Sequence, residues 1–311
     1  MRSNNSKSKK KPTWLKVLGI TILLLFVVVG GYAFYVYNSL TNAVDTMHQP
    51  IDREKSEKRP APVTLEKKQP FSVLMMGVDE REGDRGRSDT LIVLTVNPNT
   101  KTTKMLSIPR DTRTEIIGKG FDDKINHAYA FGGIEMSMDT VENFLNIPID
   151  YYMQINMEGF QDIVDAVGGV TVNNNLDFTY EGFHFPKGEI LLNGEKALKY
   201  SRMRYEDPRG DFGRQSRQRQ IIQAVISKGA SFSSLTKFNE IFEALGKNIK
   251  TNMKFDEMVD IQANYKEAAK SIQQMEVSGS GTKIDGIYYY IVPNEKKQGL
   301  QQALKEHLEI K

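Results

Sequence analysis

FSVLMMGVDEREGDRGRSDTLIVLTV, residues 71–96, contains two short apolar runs on either side of a charged loop. FSVLMMG and TLIVLTV are rich in branched residues and shorter than a typical helix, so both predict buried strands. MLSIP, residues 105–109, predicts a third strand. Helical patterns alternate with further strand patterns at residues 133–145, 157–167 and 215–228. We therefore expect an α/β fold with a mixed β-sheet sandwiched between helices, an α-β-α arrangement.

The composition excludes several kinds of site. The chain has 311 residues, a formal net charge of +3 and no cysteine, so disulfides, thiolate metal sites and thiol nucleophiles are excluded. No GxSxG, Walker or HExxH motif is present, and the four histidines, His48, His127, His184 and His307, lack metal-ligand spacing. These absences argue against serine hydrolases, P-loop enzymes and zinc peptidases.

An uncharged run, VLGITILLLFVVVGGYAFYVY, occupies residues 17–37. As a helix it is roughly 30 Å long, enough to cross a bilayer, and a cleaved signal peptide would have a shorter apolar region. The basic residues before it predict a cytoplasmic N-terminus and an extracytoplasmic remainder. We expect a basic head (1–16), one transmembrane helix (17–37), an extracytoplasmic stalk (38–70) and a single domain (71–311).

A second informative segment, YSRMRYEDPRGDFGRQSRQRQ at residues 200–220, holds six arginines and no lysine. Guanidinium groups bind phosphate oxygens in pairs and keep their charge, so this segment predicts a phosphate site. The first 44 residues hold six basic and no acidic side chains, which leaves the rest of the chain mildly acidic. Without a broad cationic surface, nucleic acid is not an expected partner.

The periodicity of this segment indicates which arginines share a site. Arg202 and Arg204 alternate, so in an extended chain they lie on one face. Arg214 and Gln218 occupy the first turns of a helical stripe that becomes apolar farther along. A diphosphate at that helix N-terminus would satisfy these groups, and an internal network with neighbouring acids is the alternative. Arg217 is expected at the margin of the site, and two further arginines, Arg209 and Arg219, are expected to be solvated.

Acidic residues flank the first two strands. Asp79 and Asp89 bracket a loop with two glycines, which would allow both carboxylates to meet. Two hard oxygen ligands beside a phosphate suit Mg²⁺ or Mn²⁺, although a solvated turn is the alternative. Arg110 and Asp111 follow the third strand, where they point into the same crevice or form a surface ion pair.

Six separated sequence blocks lie within about residues 71–228. They are GRSDT (86–90), SIPRD (107–111), AYAFGG (128–133), VDAVGGV (164–170), LNGEKALKYSRMR (192–204) and DFGRQSRQRQ (211–220). In kind and in order these blocks resemble the LytR-CpsA-Psr family, and within it the Bacillus-type teichoic acid transferases of the LytR/TagTUV group.

The resemblance implies a phosphotransferase on the outer side of the cell membrane of a Gram-positive-type envelope. Such enzymes move an anionic wall polymer, with wall teichoic acid the favoured one here, from an undecaprenyl-diphosphate carrier to peptidoglycan. The acceptor is the 6-hydroxyl of N-acetylmuramic acid in the glycan strand, and undecaprenyl phosphate is released. The alternatives are a lipid-diphosphate pyrophosphatase and a non-enzymatic membrane-bound regulator of the envelope.

The resemblance also implies residue roles. Asp79 and Asp89 match the acids associated with magnesium, and Asp89 or Asp111 would take the acceptor proton. Thr114 departs from the pattern, because some members carry a basic residue there. The residues that match the pyrophosphate-binding set are Arg87, Arg110, Arg202, Arg204, Arg214 and Gln218, with Arg81, Arg85 and Arg217 nearby.

Overall fold

A computed structural model of the chain describes residues 13–53, 55–78, 86–229, 246 and 248–310. Its helices are α1 (Thr13–Met47), α2 (His127–Leu145), α3 (Met157–Ala166), α4 (Gly194–Arg202), α5 (Asp211–Gly229), α6 (Phe255–Asn264) and α7 (Asn294–His307). Its strands are β1 (Phe71–Val78), β2 (Ser88–Asn97), β3 (Thr102–Ile108), β4 (Arg113–Ile116), β5 (Phe121–Lys124), β6 (Tyr151–Ile155), β7 (Val170–Asn174), β8 (Phe178–Tyr180), β9 (Phe183–Phe185), β10 (Gly188–Leu192), β11 (Ile249–Thr251), β12 (Ile272–Glu276), β13 (Ser280–Ile284) and β14 (Ile287–Ile291).

A six-stranded sheet in the order β11-β6-β1-β2-β3-β12 forms the centre of the fold. β2 is antiparallel to both β1 and β3, whereas β6 is parallel to β1 and β12 is parallel to β3. The register places Leu74 opposite Val93 and Val93 opposite Leu106, so one apolar row crosses three strands. The predicted mixed sheet is confirmed.

Helices cover both faces of this sheet because its central strands are apolar on both sides. Leu74, Val93 and Leu106 pack on one face with residues from α2 and α7. Ile92 on the other face packs in a cluster that includes Ile222 of α5. Complete burial of one such aliphatic side chain contributes about 1.5–3 kcal/mol, so both layers stabilise the sheet.

Two-stranded sheets complete the domain around the central sheet. β4 pairs with β5, β7 with β10, β8 with β9, and β13 with β14. The β7–β10 and β8–β9 pairs enclose a separate apolar cluster that includes Val172, Phe178 and Tyr200. This cluster supports α4 and α5, the two helices that carry most of the arginine-rich segment.

The arginine-rich segment differs from its predicted local structure. Arg202 is the last residue of α4, not part of an extended strand, and the Met203 amide donates to the Lys199 carbonyl at 3.3 Å. Arg202 and Arg204 therefore do not alternate along a strand. α5 begins at Asp211, one turn earlier than the pattern indicated, because Gly210 with φ of 55° turns the chain into the helix.

The segment predicted as a stalk lies largely against the domain. Val44 and Met47 at the end of α1 are buried, as is Leu65. Arg59 donates to both carboxylate oxygens of Asp150, at 2.5 and 2.8 Å. Tertiary contacts therefore hold most of this polar segment.

The predicted membrane span falls within α1. Among the described residues, no helix is long and apolar enough to cross a membrane. The basic head expected over residues 1–16 lies mostly outside the described residues. Both features stay predictions from the sequence.

Candidate functional site

One edge of the central sheet brings together residues that are distant in sequence. β1 ends, β2 begins and β3 ends at this edge, because Val78 pairs with Ser88 and Leu91 pairs with Ile108. Asp89 is the second residue of β2, and Arg110 follows β3 by two positions. The antiparallel order of the strands thus explains why the two residues meet.

Arg110 is the centre of a charged network at this edge. Its Nη1 lies 2.8 Å from Asp89 Oδ1, and its Nε lies 3.8 Å from Asp111 Oδ2. Lys124 of β5 binds the other Asp111 oxygen at 2.7 Å. Burial by itself would lower the pKa of Arg110, but the hydrogen bond and negative charge of Asp89, helped by two further aspartates, raise it. Arg110 therefore stays a cation.

Arg214 reaches the same edge from the first turn of α5. Its Nη2 lies 2.8 Å from Asp211 Oδ1 and 3.5 Å from the Asp89 carbonyl oxygen. Its Nε is buried and has no hydrogen-bond partner among the described residues. Burial lowers the pKa of Arg214, and neighbouring arginines add to that shift although acidic groups oppose it. An anion placed here would gain a donor that the protein leaves unused.

A cavity of about 460 Å³ opens beside these arginines, between the sheet and helices α3, α4 and α5. Its polar lining includes Asp89, Arg202, Arg214 and Gln218. The rest is largely apolar and includes Met75, Ile92, Ile155, Phe160, Leu198 and Ile222. Such a cavity suits an amphipathic ligand with an anionic head and a hydrocarbon chain.

Arg217, predicted at the margin of this site, is not among the residues that line the cavity. Its side chain is 2% exposed and lies 2.5 Å from Asp207 Oδ2. It also donates to the carbonyls of Tyr200 and Met203. Gly213 permits this arrangement, because a Cβ at that position would lie 1.8 Å from Asp207 Oδ2. The guanidinium therefore ties α4 to α5.

The expectation that Arg219 is solvated is wrong. Its side chain is 3% exposed, forms an ion pair with Glu276 and donates to Gln274 Oε1 at 3.1 Å. These contacts join α5 to β12. Arg209, by contrast, is 46% exposed, as the sequence indicated. The sequence did not distinguish Arg209 from Arg219, because the residues that bury Arg219 belong to β12, which is distant in the chain.

The remaining predicted residues lie in different surroundings. Arg204 is partly buried, with its guanidinium carbon 5.8 Å from the centre of the exposed Tyr205 ring. Arg87 is exposed just before β2. Thr114 lies in β4 opposite Asp123. Asp79, Arg81 and Arg85 lie outside the described residues.

Sequence reasoning missed two groups near the site. Lys124 was not singled out, although it binds Asp111, and no local spacing connects β5 with the end of β3. Tyr180 and Glu181 line the cavity from the β8–β9 hairpin, which carries no chemical motif.

Asp89 is the one member of the predicted magnesium pair that lies among the described residues. No group of three or more His, Asp or Glu side chains within the described part of the chain is arranged to hold an ion. Asp89 lines the cavity with its carboxylate 37% exposed and one oxygen on Arg110. Magnesium often takes one or two carboxylates and completes its shell with phosphate and water oxygens, so Asp89 fits as one ligand.

Comparison with known proteins identifies relatives over nearly the whole chain. The polyisoprenyl-teichoic acid–peptidoglycan teichoic acid transferase TagU of Bacillus subtilis (strain 168) is 56% identical over 305 residues, 98% of this chain and 99% of that protein. The same transferase from Bacillus licheniformis is 54% identical over 308 residues, 99% of this chain and 99% of that protein.

Solved structures agree with this relationship. The crystal structure of B. subtilis TagU, 56% identical, matches 78% of this chain and 99% of its own with a TM-score of 0.64. TagT bound to LI-WTA, 31% identical, matches 85% of this chain and 100% of its own with a TM-score of 0.72. The LytR_cpsA_psr family model matches residues 34–306. The chain therefore belongs to the LytR_cpsA_psr family, as its six sequence blocks indicated.

Proposed function

We propose that the protein is a transferase that moves teichoic acid from an undecaprenyl-diphosphate carrier to peptidoglycan. The observation that carries this proposal is the cavity, which joins the arginine-rich edge of the sheet to an apolar interior. A diphosphate and its prenyl chain combine the same two chemistries in one molecule. The names of the teichoic acid transferases at 54–56% identity support the same reaction.

The residues at the sheet edge would bind and neutralise the diphosphate. Arg110 and Arg214 lie on the two sides of Asp89, and Arg202 and Gln218 line the adjoining wall. Cations fixed in place before the reaction stabilise the charge that develops on phosphate oxygens, which is most of what phosphoryl transfer requires.

The transfer itself needs no nucleotide, because the phosphoanhydride bond of the donor supplies the driving force. The 6-hydroxyl of N-acetylmuramic acid attacks the phosphorus on the polymer side, and a new phosphodiester bond forms. The bond from that phosphorus to the lipid phosphate breaks, and undecaprenyl phosphate leaves. Asp89 or Asp111 takes the hydroxyl proton, since both carboxylates lie beside Arg110.

Magnesium is part of this proposal, with manganese as a substitute. Asp89, together with Asp79, would hold the ion. When bound, the ion supplies positive charge to the non-bridging phosphate oxygens. Arg110 and Arg214, which both contact Asp89, would orient the diphosphate.

The placement of the protein in the envelope is proposed from the sequence. The basic residues before the apolar run at 17–37 predict one membrane crossing with a cytoplasmic N-terminus. The domain from residue 71 to 311 would then act on the outer side, where the carrier-linked polymer and the glycan strand meet.

The test combines the full-length protein in detergent with a synthetic lipid-diphosphate-linked teichoic oligomer, Mg²⁺ and peptidoglycan oligomers. Mass spectrometry is expected to detect an oligomer joined to the glycan through a phosphodiester, with lipid monophosphate released. Hydrolysis of the donor without a glycan adduct would identify a pyrophosphatase instead. A donor left intact by the wild type, under conditions where a known transferase reacts, would contradict any enzymatic role.

A further inference from the structure

A row of exposed and half-buried side chains lies beside the charged network. We call it the aromatic strip and define it as Phe121, His127, Phe131 and Tyr289 together with Lys119. Phe121 is 48% exposed and Phe131 is 38% exposed. Their ring centres lie 5.8 Å apart in an edge-to-face arrangement, and His127 lies 6.1 Å from Phe131. Contiguous exposed rings with a polar rim are typical of a binding surface.

The aromatic side chains of the strip lie on three separate elements, β5, α2 and β14. Phe121 lies in β5, whereas His127 and Phe131 lie in α2 before Gly133, whose φ of 68° interrupts the helix. His127 Nδ1 lies 2.7 Å from Asp123 Oδ2, and the Tyr289 hydroxyl donates to Asp123 Oδ1 at 3.3 Å. Because these contacts fix the polar groups, a ligand on the rings would meet a preorganised surface.

The strip is continuous with the residues proposed to bind the diphosphate. The ammonium group of Lys124 lies 5.9 Å from the centre of the Tyr289 ring and 2.7 Å from Asp111. Asp111 in turn contacts Arg110, which binds Asp89. The Tyr290 amide, next to Tyr289, donates to the Asp111 carbonyl at 2.8 Å. A ligand lying along the strip therefore has one end near the proposed reaction centre.

The charges beside the rings narrow the choice of ligand. Lys124 and Arg113 already have acidic partners at 2.7 Å. Lys119 has no acidic partner within the described ranges, and its ammonium group lies 5.6 Å from the Phe131 ring centre. A polyphosphate chain would need many free cations here. A glycan that carries an occasional carboxylate needs only rings for the apolar faces of its sugars and one cation.

We propose that the aromatic strip binds the acceptor glycan strand of peptidoglycan and directs its hydroxyl toward the diphosphate. This inference rests on the proposed transferase function. Phe121 and Phe131 would stack on sugar rings, Tyr289 would position the sugar nearest the reaction, and Lys119 would pair with a peptide-stem carboxylate.

Steady-state transfer by the full-length protein tests the strip. The variants are Phe121→Ala/Phe131→Ala and Tyr289→Ala. Two control variants lie outside the strip. Leu191→Ala truncates an apolar side chain that is 66% exposed on β10. Tyr288→Ala removes a ring that is 45% exposed on β14, where side chains alternate and Tyr288 therefore points to the face opposite Tyr289. We expect the strip variants to raise the acceptor KM about tenfold, which corresponds to a loss of about 1.4 kcal/mol of binding free energy. The donor KM should stay within twofold, whereas Tyr289→Ala should also lower kcat because Tyr289 positions the reacting sugar. Both controls should match the wild type.

A second readout separates the failure of this inference from the failure of the proposed function. Binding of peptidoglycan oligomers, measured by calorimetry without any donor, should weaken in the strip variants alone. If the wild type transfers polymer but the strip variants keep their acceptor KM and glycan affinity, the inference is wrong. A rise in the donor KM instead would assign the strip to the teichoic acid chain. If the wild type transfers nothing, loss of glycan binding in the strip variants still supports the surface, and unchanged binding overturns it.

Discussion

Replacement of Arg217 by methionine tests whether this arginine is structural or binds substrate. The change keeps much of the side-chain volume but removes three contacts, with Asp207 and with the carbonyls of Tyr200 and Met203. The Asp207 side chain is 2% exposed, so it would become a buried charge without its main partner. Breaking one side of a buried ion pair costs about 3–5 kcal/mol.

That loss is large compared with the stability of a typical domain, which is about 5–15 kcal/mol. For a domain of this size we expect the melting temperature to fall by about 10 °C. Thermal unfolding of the full-length protein, followed by far-ultraviolet circular dichroism, measures the change. Arg217→Met/Asp207→Asn removes the unpaired charge as well, so it should recover at least about 1 kcal/mol of the loss.

Arg209→Ala is the matched control, because Arg209 also contacts Asp207 but is 46% exposed. An exposed pair contributes about 0–1 kcal/mol, so this variant should unfold close to the wild type. The reasoning would be refuted if Arg217→Met unfolded within about 1 kcal/mol of the wild type while transfer was lost. In that case Arg217 would belong with the phosphate-binding residues, as the sequence predicted.

Three further predictions concern catalysis, the metal and pH. Arg110→Ala or Arg204→Ala should lower transfer by at least about 100-fold with an unchanged circular dichroism spectrum. Full transfer by either variant would contradict the assignment of that arginine to the diphosphate site. Chelation with EDTA should stop transfer and Mg²⁺ or Mn²⁺ should restore it, whereas persistent activity would argue against the metal. Burial, with the nearby charge of Lys104, lowers the pKa of His307 to about 4. In the unfolded chain the pKa of a histidine is about 6.5. The contribution of neutral His307 to the free energy of unfolding is therefore fully present above pH 6.5 and falls by about 3 kcal/mol as the pH approaches 4. Urea unfolding at several pH values measures this dependence. His307→Gln should reduce the change in the free energy of unfolding between pH 6.5 and pH 4, whereas a change at the exposed His184, His184→Gln, should leave it as in the wild type.

The strands and helices could be predicted where local patterns are strong. The runs that became β1 and β2 are apolar on both faces, so burial between two helical layers was their expected environment. The helical stripe of Arg214, Gln218 and Ile222 was also predicted, and these three residues do line one cavity. The end of α4 was not predicted, because helix and extended chain compete closely there and packing of the segment decides between them.

The amino-acid sequence by itself determined the α/β class and the family and predicted an arginine-rich anion site, because these depend on periodicity and on side-chain chemistry. Only the tertiary structure decided which arginines face the cavity. Arg214 lines the cavity, and its Nε has no hydrogen-bond partner in the part of the chain that the structure describes, whereas Arg217 and Arg219 are paired with Asp207 and Glu276. The physical reason is that a buried guanidinium must find a counter-charge, and residues distant in sequence supply it only after the chain has folded.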